Sequence, residues 1–271
     1  MDWIRITERT EYVNVGNSLV GVYHLKGGRR VVLLDAGAVE CPEFLADIKA
    51  RGLSVAAILC SHLHFDHISS AGIIWDEFQM PSYASELEAL EEQFPTRYFP
   101  ITPISGQEPV IIEGERFDVI PTPGHTKGHL GFVTPDEVCC IGDAFMSYGV
   151  LRAAKIPYFL DVDKALESME LIRETDCRAY LLCHEAAVMP GELDALIEAN
   201  IEKELELYRA LRDYVTEPVD MEELITGFMQ SCGIRSKHIL QGGYRDTVRV
   251  RIESLRHAGE LVIEAGVVKP V

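Results

Sequence analysis

From Cys60 to Ile68 the chain reads Cys-Ser-His-Leu-His-Phe-Asp-His-Ile, so three histidines and an aspartate share six positions. Imidazole and carboxylate are the donors that zinc and similar first-row cations take. Two histidines at i and i+2 on a tight loop, His62 and His64, can point at one ion. A carboxylate and a histidine at i+4 and i+5, Asp66 and His67, then turn towards a second. Three isolated donors downstream, His125, Asp143 and His184, could complete the two shells, with Asp143 lending an oxygen to both. Two ions about 3.5–4 Å apart bind a bridging hydroxide and polarise a substrate. They also lower the pKa of bound water from about 15.7 to about 7, which supplies a nucleophile at neutral pH.

The elements around these residues explain how they could meet. Trp3 to Ile6, Tyr12 to Val15, Ser18 to Leu25 and Arg30 to Leu34 are short β-branched or aromatic runs with strand character. Asp35 follows the last; it reads equally well as a turn former and as a partner for a metal ligand. Pro42 to Arg51 is helical, with Phe44, Leu45 and Ile48 on one stripe and Gly52 as the stop. Val55 to Cys60 is a continuous apolar run, read as a buried strand. The histidine cluster therefore sits where a strand hands over to a helix at His67 to Trp75, a usual place for sites in open αβ sheets.

Ser85 to Gln93 reads as a short acidic helix, and Phe94 to Glu108, with Tyr98 and Phe99 among prolines, as a loop that either covers the site or merely connects. Strands are expected at Val110 to Ile112, Arg116 to Ile120, Gly131 to Val133 and Val138 to Ile141, then an irregular stretch after Asp143. A helix from Asp163 to Glu174 and a strand from Tyr180 to Cys183 precede a long charged helix from Gly191 to Tyr214. Helices at Met221 to Met229 and Thr247 to Ala258, followed by a hairpin over Leu261 to Val271, resemble a winged-helix unit. Strands alternating with helices imply an α/β layered sandwich, divided into residues 1–214, with 191–214 as connector, and 215–271.

Bulk composition narrows the function classes. The 271 residues are 47% hydrophobic and 25% charged, an ordinary globular balance. A net charge of −18 disfavours nucleic acid, which needs a basic surface. The one basic island is Arg235, Lys237, Arg245, Arg249, Arg251 and Arg256. No apolar run approaches the roughly 18 residues of a membrane span. The N-terminus lacks the pattern of an export signal, and seven cysteines without a C-x-x-C pair suit reduced thiols. A cytoplasmic location is expected.

The H-x-H-x-D-H run at His62 to His67, P-G-H-T-x-G-H at Pro123 to His129, Gly142-Asp143 and the strand-end His184 together resemble the metallo-β-lactamase superfamily over roughly residues 12–190. The resemblance implies a four-layer αβ/βα sandwich with a binuclear site at one edge of two sheets. It also implies one ion on His62, His64 and His125, a second on Asp66, His67 and His184, and Asp143 bridging. His129 would be no ligand. The name-giving lactamases lack a histidine after the aspartate and use a cysteine in the second site. With His67 in place, the pattern is closer to glyoxalase II, lactonases and RNase Z-like enzymes. Cys183 stands where the family has glycine, and is expected to face away from the ions. The C-terminal part resembles the winged-helix-like tail of lactamase-β-like proteins, carried here by Thr247 to Leu261.

These observations lead to a hydrolase with two divalent ions, zinc before iron or manganese, in which a bridging hydroxide attacks a small ester, thioester or lactone. Asp66 would pass a proton to the leaving group, and Tyr148 or Tyr158 would donate to the oxyanion. Glutathione would need a basic pocket, for which only Arg152 and Lys155 are placed. A metal-dependent endoribonuclease or phosphodiesterase and a mononuclear iron dioxygenase are the alternatives. The tail suits a homodimer or partner contact better than DNA.

Overall fold

The computed structural model describes every residue except 89–96, 186, 238 and 240–242. Strands β1 (Trp3–Arg5), β2 (Thr10–Val15), β3 (Ser18–His24), β4 (Arg30–Leu34), β5 (Ser54–Leu59), β6 (Ser82–Ser85) and β7 (Ile101–Ile104) form a seven-stranded sheet in sequence order. A second sheet runs β13 (Ala187–Val188), β12 (Ala179–Leu182), β11 (Val138–Gly142), β10 (Leu130–Val133), β9 (Glu115–Pro121) and β8 (Val110–Ile112).

The period of two along each strand builds the layers. On β4, Val31 and Leu33 face outward onto helices α1 (Pro42–Ala50), α2 (Phe65–Ile68) and α3 (Ala71–Phe78), where Phe44, Ile48, Ile68 and Ile74 meet them. Val32 and Leu34, one residue out of phase, face Phe117, Leu130, Phe132 and Leu181 of the second sheet. The outer face of that sheet repeats the device. Cys139, Ile141, Tyr180 and Leu182 pack on helices α5 (Val162–Arg173) and α6 (Pro190–Tyr214) through Met169, Ile172, Leu193 and Ile197. The result is the helix–sheet–sheet–helix sandwich that the motifs imply.

The C-terminal segment builds a further core. Helices α7 (Met221–Ser231) and α8 (Asp246–His257) bury Leu224, Phe228, Val248, Ile252 and Leu255 against Leu207 and Leu211 of α6. Strands β15 (Leu261–Glu264) and β16 (Val267–Pro270) make the expected hairpin, and β14 (Val219–Asp220) adds a third strand beside β16. Helix α6 thus serves both cores. Between α6 and α8 lies a buried ion pair. Arg251 is 0% and Glu204 1% exposed, and the guanidinium donates to both carboxylate oxygens at 2.7 and 2.8 Å.

Several local expectations give way to tertiary context. Ile101–Ile104 is a strand despite Pro103, because β7 lies at the edge of its sheet, where a missing N–H costs no ladder bond. The stretch after Asp143 contains a short helix, α4 (Tyr148–Ala153), capped by the Ser147 side chain on Val150 N. The helical run after His67 is broken in two at Ser69 and Ser70. Ser82–Ser85 forms β6, and the expected helix after it falls mostly outside the described residues, as does the start of the 94–108 loop.

Glu204→Ala strands the Arg251 charge in the core and is expected to cost about 3–5 kcal/mol, read as a lower denaturation midpoint. Replacing both residues by Met should restore most of that loss. A single-variant midpoint within about 1 kcal/mol of wild type would show that the pair contributes little.

Candidate metal centre

All seven sequence-derived donors lie at one edge of the sandwich. β5 ends at Leu59 and delivers the His62 loop; α2 carries Asp66 and His67; Asp143 follows β11 and His184 follows β12. Donor atoms of His62, His64 and His125 fall within 4.8 Å of one another. His67, Asp143, Cys183 and His184 form a second set by the same measure. The two sets meet at Asp143. Its Oδ2 is 3.4 Å from His67 Nε2, 3.6 Å from His125 Nε2 and 3.7 Å from His184 Nε2. Asp66 reaches the second set through His184, with Oδ2 3.6 Å from His184 Nε2.

Four of the histidines have one ring nitrogen committed to the protein, which turns the other inward. His67 Nδ1 donates to Asp35 at 2.8 Å, and His125 Nδ1 to the Tyr158 carbonyl at 2.9 Å. His184 Nδ1 donates to the Asn17 carbonyl at 3.0 Å. His62 Nδ1 lies 3.0 Å from Ser61 Oγ, whose own proton goes to Asp35. Such partners set the tautomer of a metal-binding imidazole. The fit to cations is tested by what remains: His62 Nε2 and His67 Nε2 are buried and have no hydrogen-bond partner. An unpaired buried nitrogen is costly, and a cation in each set would satisfy the histidine that belongs to it.

The electrostatics of the two sets differ. Burial first, then neighbouring imidazoles, push His62 far below the usual imidazole pKa and His125 down to about 4, so both stay neutral, the form that binds metal. Burial also disfavours a charge on His67, yet Cys183, Asp143 and Asp35 hold its pKa well above the usual value. The carboxylates of Asp143 and Asp66, 3.7 and 3.6 Å from its Nε2, raise His184 in the same way. Surroundings that hold a proton this firmly also favour a divalent cation in its place. Burial would raise the pKa of Asp143, but the charge of His67 and the nearby His184 and His125 imidazoles hold it well below the usual carboxylate range.

His129 is no donor. The Asp143 N–H donates to its Nε2 at 3.1 Å, and its Nδ1 donates to Thr122 Oγ1 at 2.8 Å, so the ring holds the backbone of Asp143. Asp35, open to two readings from sequence, does both jobs. It has φ 64°, a conformation that Asp tolerates, and it accepts from Ser61 N at 2.7 Å and Ser61 Oγ at 2.9 Å besides His67. Cys183 corrects an expectation: its sulfur belongs to the second donor set instead of facing away. β12 ends at Leu182, so strand alternation no longer sets the direction of residue 183.

Three contributors escaped the sequence. Glu88 joins the two ligand loops, accepting from Leu63 N at 3.2 Å, Thr126 Oγ1 at 2.6 Å and Gly128 N at 3.0 Å. The closeness demands glycine, since a Cβ on Gly128 would sit 2.8 Å from Glu88 Oε1. The 156–159 strap is gripped by the C-terminal subdomain. Thr247 Oγ1 donates to Pro157 O at 3.0 Å and accepts from Phe159 N at 3.2 Å, and Arg251 donates to Pro157 O at 3.1 Å. That strap carries the Tyr158 carbonyl on which His125 depends. Tyr244 is the third. It shares with Phe65, Met146, Val150, Pro157 and Tyr158 a cavity of about 460 Å³ over His64, Asp66, His125, Asp143 and His184. Tyr148, at the start of α4, is exposed and outside the lining.

The sandwich and its donor sets are those of a known family. A family model described as the metallo-beta-lactamase superfamily matches residues 13–184, and the chain belongs to that superfamily. Among its relatives is a probable metallo-hydrolase of Streptococcus pyogenes, 33% identical over 45% of this chain and 60% of that one. A hydroxyacylglutathione hydrolase of Aliivibrio fischeri is 28% identical over 82% of this chain and 86% of its own. The chain spans less than two thirds of the leading relatives it matches, 60%, 46% and 63% of their lengths. A solved metallo-beta-lactamase family protein from Thermus thermophilus superposes with a TM-score of 0.74 over 98% of this chain and all of its own, at 17% identity, a likeness of fold.

Metal-loaded protein is expected to hold close to two first-row ions per chain by mass spectrometry, and a clean value of one would overturn the two-set reading. Asp35→Asn keeps a residue that tolerates the left-handed turn but removes the charge behind His67. It should weaken one site about 10- to 100-fold in chelator competition; unchanged affinity would reduce Asp35 to a turn former.

Proposed function

We propose that the chain is a two-metal hydrolase of small esters, thioesters or lactones. In this reading His62, His64 and His125 hold one ion, Asp66, His67 and His184 the other, and Asp143 serves both. The observation that carries it is the position of Asp143 Oδ2, within 3.4–3.7 Å of imidazole nitrogens from both sets. Zinc is the first expectation. Divalent ions held there supply Lewis acidity at a carbonyl and water made acidic enough to react at neutral pH.

The protein's own residues do the rest. Asp66 faces the cavity and is 27% exposed, so it can exchange protons with bound substrate and with water. Burial would raise its pKa, but the His184 imidazole 3.6 Å away and the charge of His67 keep it below the usual carboxylate value. It is therefore a base that takes a proton and passes it to the leaving group. Tyr158 lines the cavity edge-on to His64 and His125, placed to contact the acyl carbonyl.

Two observations support a small substrate over RNA. Much of the basic island is already engaged: Arg245 and Arg249 pair with Glu222, Arg256 pairs with Glu253, and Arg251 is buried against Glu204. The walls of the cavity above the donors are also mostly apolar. The second donor set supports two ions over a single iron. Among the described residues no helix is long and apolar enough to cross a membrane. Action in the cytoplasm and assembly as a homodimer belong to the same proposal.

Asp66→Asn is expected to lower kcat on an activated thioester about 10²- to 10⁴-fold, with the circular dichroism and melting temperature of the wild type. Full activity would reassign the proton-transfer role.

A further inference from the structure

We infer that this site, taken as the hydrolase proposed above, selects neutral, apolar acyl groups, and that Tyr244 of the C-terminal subdomain sets that selectivity. The cavity has two unlike ends. Its floor is the donor sets; its walls are Phe65, Met146, Val150, Pro157, Tyr158 and Tyr244. At about 30 Å³ for each water-sized heavy atom, 460 Å³ holds on the order of fifteen atoms, an acyl chain with a small leaving group.

No lysine or arginine lines this cavity, and none of the residues outside the described set is a lysine or arginine. Of the cations close in sequence to the lining, Arg245 is paired with Glu222. Arg152 and Lys155 lie at the exposed surface, Arg152 being 74% exposed and 3.8 Å from Glu185. A thioester of glutathione carries two carboxylates, and these would meet walls without a countercharge on a protein of net charge −18. An acyl group of methylenes or an aromatic ring gains instead from every wall residue.

Tyr244 makes this wall apolar despite its phenol. It sits in the 3₁₀ turn Gly243–Arg245 ahead of α8, and its hydroxyl donates to the Ile156 carbonyl. The polar end is thereby spent on the strap, and the ring lies 5.7 Å from that of Tyr158, at 45°. The subdomain thus contributes a fixed aromatic face to the substrate cavity, as well as the grip of Thr247 and Arg251 on the same strap.

The test uses the full, metal-loaded chain on nitrophenyl esters from acetate to octanoate, and on matched thioesters of glutathione and of a neutral thiol. kcat/KM is expected to rise about two- to four-fold per added methylene until the cavity is full. The neutral thioester should exceed the glutathione thioester at least ten-fold. Tyr244→Ala should flatten the octanoate-to-acetate ratio, Tyr244→Phe should keep it, and Tyr244→Arg should shift preference towards glutathione. Hydrolysis with no chain-length dependence, or with glutathione preferred, overturns the selectivity and leaves the hydrolase standing. If no ester is cleaved, the hydrolase reading fails. Octanamide then still decides the inference: thermal protection of the wild type that is lost in Tyr244→Arg upholds the apolar site, and no protection overturns it.

Discussion

The Asp35 carboxylate is the point on which the site hangs. One buried side chain accepts from Ser61 N, Ser61 Oγ and His67 Nδ1. A buried carboxylate without such bonds would be prohibitively costly, so the three donors hold it and it holds them. Through Ser61 it fixes the loop after β5 and orients His62; through His67 it fixes the first turn of α2. Gly142 closes the arrangement from the other sheet, because a Cβ there would meet Ser61 Oγ at 2.6 Å and His129 Nε2 at 2.8 Å. The two sheets can approach at this edge only with that residue bare.

The same logic recurs at four of the imidazoles. A backbone carbonyl, a hydroxyl or a carboxylate takes one nitrogen, and the other faces the centre. The anchors come from distant places: Asn17 in the β2–β3 turn, Tyr158 in the strap, Asp35 at the end of β4. The sandwich is therefore less a container for the site than a means of bringing these anchors together. Its apolar cores supply the stability, while the polar edge, with its unpaired nitrogens, is held against its own preference.

Legibility in the sequence followed range. The donors were readable because chemistry is carried by residue type, and the strands because apolar periodicity is local. β7 was hidden by Pro103, since only the sheet order reveals an edge. Asp35 stayed ambiguous because a turn former and an anchor look alike until a partner 32 residues away is seen. Glu88 read as one acid in an acidic run, although it joins a loop 25 residues before it to another 40 residues after it. Cys183 reads as the last residue of a strand, but the strand ends at Leu182. Tyr244 carried no signal and Arg251 read only as part of a basic island, because a winged-helix-like tail gives no indication of which face docks or on what.

The grip of α8 on the 156–159 strap has a consequence for how the molecule is made. A nascent chain completed as far as Tyr214 already carries all seven donors, but lacks the Thr247 and Arg251 contacts that hold the strap under His125. Domains form from the N-terminus during synthesis, and metal binding is coupled to folding. The strap under the first donor set is therefore held in its final place only once α8 has docked.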